Sequence, residues 1–270
     1  FHLGIDDMVK DRKFGSAANK ISVEECLTGE ELSVFAICDG TNYEIIGSAQ
    51  DHKRAYDYDK GPNTGGMGAY SPTPLFNNAL KIKVENDILK PILKALEELG
   101  NPFKGFLYIG IMLVDDQPYV IEFNVRLGDP ETQVLLPLIN SSILDMILCS
   151  IDGTIKDYNL KLDEKYAVAV VLASKGYPED YKKGMKINGL DVLNNDIIFH
   201  AGTKKYDNKV VATGGRVLSV VGLDLNLNKA ISKTYKLVEK INFTDKYYRS
   251  DIGLKAAVYL NGKEWNDRYW

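Results

Sequence analysis

The sequence lacks both common glycine signatures for a nucleotide. It has no G-x-x-x-x-G-K-[ST], and no G-x-G-x-x-G that follows a strand and opens a helix. No apolar run approaches the ~20 residues needed to span a bilayer, and the first residues show no basic segment followed by an apolar one. A soluble chain is expected, with no membrane partner. Cysteine is scarce: Cys26, Cys38 and Cys149 are odd in number and form no CxxC, which argues against a disulfide scaffold and for a reduced, cytoplasmic setting. An excess of either charge is also missing. Thirty-three basic residues against 37 acidic ones leave a net charge of −4, so no general field attracts a polyanion. Nucleic acid is not an expected partner, and an anionic substrate would need a local cluster of cations.

What is present is an ordinary globular composition, 45% hydrophobic and 26% charged over 270 residues, enough for about two domains. The runs "ISVEECL", "ELSVFAICDG" and "NYEIIGSAQ" are joined by Thr28-Gly29-Glu30 and Asp39-Gly40-Thr41 and read as an antiparallel meander. Leu80, Val84, Ile88, Ile92, Leu96 and Leu99 recur at helical spacing, with Pro91 as a kink and Gly100 as a stop. "GFLYIGIMLVDD" and "PYVIEFNVRLG" read as a hairpin turning at Asp116-Gln117, followed by two short helices. A polar stretch at 156–165 precedes a second β-rich region, with strands near 166–174, 196–201, 209–213 and 215–222 and a helix from about 226 to 241. The expected class is α+β with antiparallel sheets, divided into domains at 1–160 and 161–270.

Chemistry concentrates in "PYVIEFNVRLGDPETQ". Alternation puts Ile121, Phe123 and Val125 on one strand face and Glu122, Asn124 and Arg126 on the other. Periodicity alone fits a half-buried strand with polar residues outward equally well. However, a carboxylate and an amide oxygen two residues apart are hard donors, of the kind Mg²⁺ takes when it also holds phosphates. Arg126 adds a fork suited to phosphate or carboxylate. Gly128-Asp129-Pro130-Glu131 then gives a turn with two more carboxylates at a helix start.

Six ordered stretches, "VEECLTGEELS", "DHKRAYDYDKGPNTGGMGAYSPTP", "GFLYIGIM", "VIEFNVRLGDPETQ", "FHAGTK" and "TGGRVL", resemble the phosphoribosylamine–glycine ligases, or glycinamide ribonucleotide synthetases, of the ATP-grasp superfamily. The resemblance covers roughly residues 11 to 254. It implies an ATP-grasp core followed by a smaller α+β C-terminal domain that closes one side of the active site. It also implies ATP-dependent joining of glycine to 5-phosphoribosylamine through a glycyl phosphate, in purine biosynthesis. Glu122 and Asn124 match the family's Mg²⁺ or Mn²⁺ ligands. Glu24, Glu25 and the Leu27 backbone match positions along the adenine, and Glu31 matches the carboxylate that receives the ribose. Composition alone would leave these glutamates as a solvated hairpin rim. Asp51, His52, Lys53 and Arg54 match a substrate-proximal segment, and Arg126 and Asp129 match residues that hold and process the phosphoribosylamine or the glycine.

Gly65, Gly66, Met67 and Gly68 stand about ten residues before the next helix, so they read as a substrate loop whose backbone approaches a compact ligand. Read by itself the stretch is also a surface turn held by Pro62, Pro72 and Pro74. His200 and Arg216 are candidates to reach the site from the second region, with a structural role the expectation for His200. The strand at 106–112 carries no acid where many ATP-grasp enzymes place a second metal carboxylate, which leaves the number of ions open. Opening at Phe1 with "FHLGIDDMVKDRKFGSAANK", the chain is expected to continue an earlier element. The family's N-terminal domain and the first part of its ATP-grasp domain are then absent from these residues. Little ligase activity is expected of the 270 residues alone, and fusion to other purine enzymes stays open. Two other readings also stay open: a different ATP-grasp carboxylate–amine ligase, and a nucleotide-binding fragment without turnover.

Overall fold

The computed structural model describes residues 6–10, 12, 15–191 and 196–262. After short helical turns at Asp6–Lys10 and Gly15–Asn19, the run 21–29 forms no strand. The expected first arm of the meander therefore does not pair. The reason lies in β1 (Glu30–Asp39), whose two edges are already taken by β2 (Tyr43–Asp51) and β6 (Lys104–Val114). At Gly29 a Cβ would sit 2.2 Å from the Leu113 carbonyl oxygen, so the backbone crosses the end of β6 where no side chain fits. Between β2 and β6 come a small hairpin of β3 (Arg54–Tyr56) and β4 (Lys60–Asn63), then β5 (Gly68–Ser71).

Helix α1 (Asn78–Lys83) starts at an Asn77 side chain that accepts from the Leu80 N–H at 2.9 Å. It runs through a π-turn (Val84–Leu89) into α2 (Lys90–Glu98). The turn widens just before Pro91, which has no N–H to continue the α pattern. The Lys90 N–H bonds Glu85 instead. Gly100, at φ +75°, follows the helix end as expected. β6 and β7 (Gln117–Asn124) form a hairpin whose turn is Asp115-Asp116, both at positive φ, one residue earlier than expected. Helix α3 (Thr132–Leu135) and α4 (Ile143–Asp152) follow.

The second half supplies β8 (Tyr166–Ser174), β9 (Met185–Lys186), β10 (Ile197–His200), β11 (Thr203–Tyr206), β12 (Lys209–Ala212), β13 (Arg216–Asp224), α5 (Leu227–Lys240), β14 (Lys246–Tyr247) and α6 (Leu254–Leu260). Among the described residues nine strands make one antiparallel sheet in the order β10-β13-β8-β5-β2-β1-β6-β7, with β14 also on β8. The sheet is continuous from the first half to the second, because β5 pairs β8 from Gly68↔Val170 to Ser71↔Ala167.

Alternation along the central strands fills both faces. Phe35, Ile37, Ala69 and Ala169 pack with Val134, Leu135 and Met146 of α3 and α4 on one face. On the other, Leu32, Val34 and Ala36 meet Leu80, Val84 and Leu93, while Val168, Val170 and Leu172 meet Ala230, Leu237 and Val238 of α5. At roughly 25 cal/mol per Å² of apolar area removed from water, these three clusters are the main stabilising term.

Candidate functional site

The ladder puts the candidate residues on one face. Phe35 pairs Tyr108, which pairs Asn124; Ser33 pairs Gly110, which pairs Glu122. Cross-strand partners share a face, so Glu122 and Asn124 lie on the side of Phe35 and Ser33. Gly110 matters here, since a Cβ would stand 3.2 Å from the Glu122 Cγ and 3.2 Å from the Tyr108 ring. On the acid-free preceding strand, the residue facing Glu122 is thus a glycine that makes room for it. The expected alternation breaks at Ile121, an extra residue between Val120↔Ile111 and Glu122↔Gly110. This bulge puts Val120 and Ile121 together on the wall of a cavity.

Two cavities meet at this face. The first, roughly 490 Å³, is lined by Glu24, Glu25, Leu27, Glu31, Asp51, His52 and Lys53. The second, roughly 240 Å³, is lined by Asp51, Lys53, Gly65, Glu122, Asn124, Arg126 and Asp129. The residues singled out for nucleotide therefore line one cavity and those singled out for metal line the other. Asp51 and Lys53 form the shared wall. Gly66, Met67 and Gly68 are buried and lie among the lining residues of neither cavity. Gly66, at φ +109°, passes so close that a Cβ would be 2.3 Å from Pro130 Cδ and 2.6 Å from Asp51 Oδ1. The loop folds back on its own start, with the His52 N–H on the Gly68 carbonyl at 2.9 Å and the Met67 N–H on the His52 carbonyl at 2.9 Å.

Carboxylates dominate the electrostatics. Lys53 is ion-paired with Glu31; burial opposes its charge, but that hydrogen bond and charge raise its pKa. Burial, reinforced by the charge of Glu131, pushes the Asp51 carboxyl well above the usual range, and Asp51 Oδ1 is buried without a hydrogen-bond partner. Burial also raises Glu131, which accepts from Ser33 Oγ at 3.2 Å. His52 is held neutral, its pKa lowered to about 4 by burial and the nearby Arg249. Its ring Nδ1 lies 3.3 Å from the Gly68 carbonyl.

Glu122 and Asn124 are hard oxygen donors beside a surplus of carboxylates that a divalent cation would offset, so the residues fit Mg²⁺ or Mn²⁺. Among the described residues no group of three or more His, Cys, Asp or Glu is placed to hold a metal.

Residues 3–132 match the family model described as phosphoribosylglycinamide synthetase, ATP-grasp (A) domain, and residues 167–255 match the C domain of the same synthetase. The chain belongs to the phosphoribosylglycinamide synthetase family. It is 44% identical over 255 residues to the phosphoribosylamine–glycine ligase of Caldanaerobacter subterraneus subsp. tengcongensis, covering 94% of this chain and 60% of that protein. It is 43% identical to the bifunctional purine biosynthetic protein of Dictyostelium discoideum, covering 97% of this chain and 36% of that one. The crystal structure of the Thermotoga maritima ligase superposes with a TM-score of 0.78 at 39% identity, over 84% of this chain and 56% of that one. Campylobacter jejuni biotin carboxylase, at 14% identity and a TM-score of 0.59 over 89% of this chain and 52% of that one, shares the fold. The chain thus spans about 60% of the length of the curated ligases that it matches.

Sequence reasoning passed over several residues that build the site of this family member. Arg249, only 1% exposed, bonds Asp251 at 2.5 and 2.8 Å and Asp59 at 2.9 Å. It thereby fastens the 54–63 hairpin beside the first cavity. Lys255 of α6 lines that cavity and pairs with Glu30 at 3.1 Å. Both come from residues far along the chain, and "YYRSDIGLK" has no spacing signature of its own; two opposite charges one residue apart in an apolar setting are the only hint. Of the two candidates in the second half, Arg216 reaches the second cavity's rim. His200 is exposed, and the contact recorded for its ring is Thr203 Oγ1 at 2.9 Å.

Proposed function

We propose that the protein containing this chain joins glycine to 5-phosphoribosylamine at the expense of ATP, releasing glycinamide ribonucleotide, ADP and phosphate. The observation that carries this reading is the pair of adjoining cavities with Asp51 and Lys53 as a common wall. Phosphoryl transfer between two substrates needs two such compartments open to one point. We divide the chain accordingly, 1–160 as the ATP-grasp part and 161–270 as the C-terminal part, following the two family matches.

In this reading ATP occupies the first cavity, with Glu24, Glu25 and the Leu27 backbone along the base and Glu31 at the ribose. Glycine and the phosphoribosylamine occupy the second, between Gly65, Arg126 and Asp129. Glu122 and Asn124 hold a Mg²⁺ or Mn²⁺ ion, which when bound supplies neutralising charge at the transferring phosphate. Lys53 and Arg126 put fixed positive charge at the meeting point of the substrates. The glycine carboxylate takes the γ-phosphoryl group. The amine then attacks the glycyl carbonyl to form the amide C–N bond, the acyl C–O bond breaks with its electron pair going to the departing phosphate, and the proton lost from nitrogen passes to that phosphate or to solvent. His52 is neutral and buried, so it serves binding and shape rather than proton transfer; the attacking amine is already a nucleophile. A cytoplasmic location goes with this activity. Fusion to other purine enzymes goes with the bifunctional relatives.

The test is ADP release by the whole protein in a coupled assay, with glycine and phosphoribosylamine each supplied or withheld. Release that needs both is expected. Release that ignores both overturns the reading.

A further inference from the structure

The rim of the second cavity is not held by the first half of the chain alone. The Gly65 N–H donates to Tyr177 Oη at 2.9 Å, and the Gly65 carbonyl accepts from Arg216 Nη1 at 2.6 Å. The same guanidinium donates to the Asp129 carbonyl at 2.9 Å and to its carboxylate, Nη1 to Oδ1 at 3.3 Å and Nη2 to Oδ2 at 3.2 Å. One side chain of the C-terminal half thus ties together two rim segments that lie far apart in sequence. A planar guanidinium can serve such a set of acceptors at once, whereas an ammonium cannot reach them in one plane.

The neighbouring glycines belong to this arrangement. At Gly65 a Cβ would stand 3.1 Å from the Arg216 guanidinium carbon and 3.2 Å from the Tyr177 hydroxyl. At Gly215 it would stand 2.2 Å from the Tyr177 ring. Glycine at 215 is what lets the Tyr177 ring close on the backbone, and glycine at 65 lets the guanidinium approach without displacement. β13 also carries a register shift between Arg216 and Leu218, the kind of bulge that re-aims a side chain. "TGGR" is therefore explained by how Arg216 and Tyr177 are presented, with no phosphate loop needed.

We propose that Arg216, assisted by Tyr177, is a positioning residue for the ligase reaction, fixing Gly65 and Asp129 in the geometry that receives the amine substrate. This rests on the substrate reading of the second cavity. Both Asp129 carboxylate oxygens already occupy the guanidinium, so Arg216 acts through Asp129 and Gly65 and not by gripping a substrate phosphate. Arg216 lines neither cavity itself, but both of its partners, Gly65 and Asp129, line the second and not the first, so its effect falls on the amine side.

The experiment uses the whole protein with Arg216→Met, Arg216→Lys, Asp129→Asn and the double variant R216M/D129N. Arg216→Met is expected to lower kcat/KM for phosphoribosylamine by roughly 10- to 100-fold, the scale of misplacing a reacting group by about 1 Å. The Kd for ATP should stay within about twofold, since the sites do not share this residue. Arg216→Lys should recover only part of the loss. The loss in the double variant should fall well short of the two single losses combined, and fully additive losses would overturn the proposal. A second readout needs no activity: Arg216→Met should speed amide hydrogen exchange at 64–68 by at least ~10-fold while leaving 32–38 unchanged. Unchanged exchange at 64–68 overturns the inference whether or not the protein is a ligase. Accelerated exchange at 32–38 as well would mean general destabilisation and would also overturn it. Local acceleration without glycine-dependent turnover in the wild type would condemn the ligase reading alone.

Discussion

Strands β7 and β8 are both rich in apolar residues, "QPYVIEFN" against "YAVAVVLAS", yet they differ in burial. β8 is buried along all but its first residue, with Val168, Val170 and Leu172 against α5 and Ala167 and Ala169 against the opposite cluster. Among the described residues β7 is an edge strand, and Tyr119, Val120, Ile121 and Phe123 are each more than a third exposed. Place in the sheet, not side-chain chemistry, sets burial. The strand bearing Glu122 and Asn124 is one whose side chains contribute little to stability, so activity and stability should separate there.

The largest effect should come from breaking β8. Val170→Asp buries a charge without a partner and should cost more than about 4 kcal/mol, whereas Val125→Asp, just past the end of β7 and 75% exposed, should change stability by less than about 0.5 kcal/mol. Urea melts of the two variants check this, and equal losses would remove the contrast. Next, Glu122→Gln should lower kcat by roughly 10²- to 10³-fold, the scale of losing one preorganised electrostatic group, with the melting temperature unchanged. A parallel loss of stability would show that β7 is structural after all.

Gly66→Ala should cost at least roughly 1–3 kcal/mol, because φ +109° strains any L residue and its Cβ would stand 2.3 Å from Pro130 Cδ and 2.6 Å from Asp51 Oδ1. The accompanying sign is a raised KM for the amine substrate, measured beside the thermal melt.

The last effect is one of pH. The His52 pKa falls from 6.5 in the unfolded chain to about 4 in the fold, so its contribution is fully present above pH 6.5 and is lost as pH falls toward 4. Asp51 and Glu131 are raised and work in the opposite sense, losing stability as pH rises through their folded pKa values. Comparing wild type with His52→Asn cancels those two. The wild-type melting temperature should fall more steeply between pH 6.5 and 4.5, and identical slopes would contradict the neutral, buried His52.

Much of this was legible before the structure. The helix at 78–98, the 104–124 hairpin and the strands at 166–174 and 216–224 followed from periodicity and turn residues. Edge or centre was not legible, because it depends on which strands pair. For the same reason 21–27 looked like a strand, although both edges of β1 were taken. In the site, Glu122, Asn124 and Arg126 announced themselves by chemistry at fixed spacing. The nucleotide-side glutamates needed the resemblance. The Arg249 network escaped notice, and Arg216 was singled out only through the resemblance and without its partners Gly65 and Asp129, because contacts between residues so far apart in the chain leave no local pattern.

The pairing of β5 with β8 carries a mechanical consequence. Four ladder pairs from Gly68↔Val170 to Ser71↔Ala167 weld the ATP-grasp part to the C-terminal part immediately after the glycine loop. A hinge needs backbone free to rotate, and here the joint is a hydrogen-bonded ladder flanked by two cores. A protease cut within 156–165 should therefore leave two pieces that travel as one particle on a sizing column, held by a seam of sheet and not by a flexible tether.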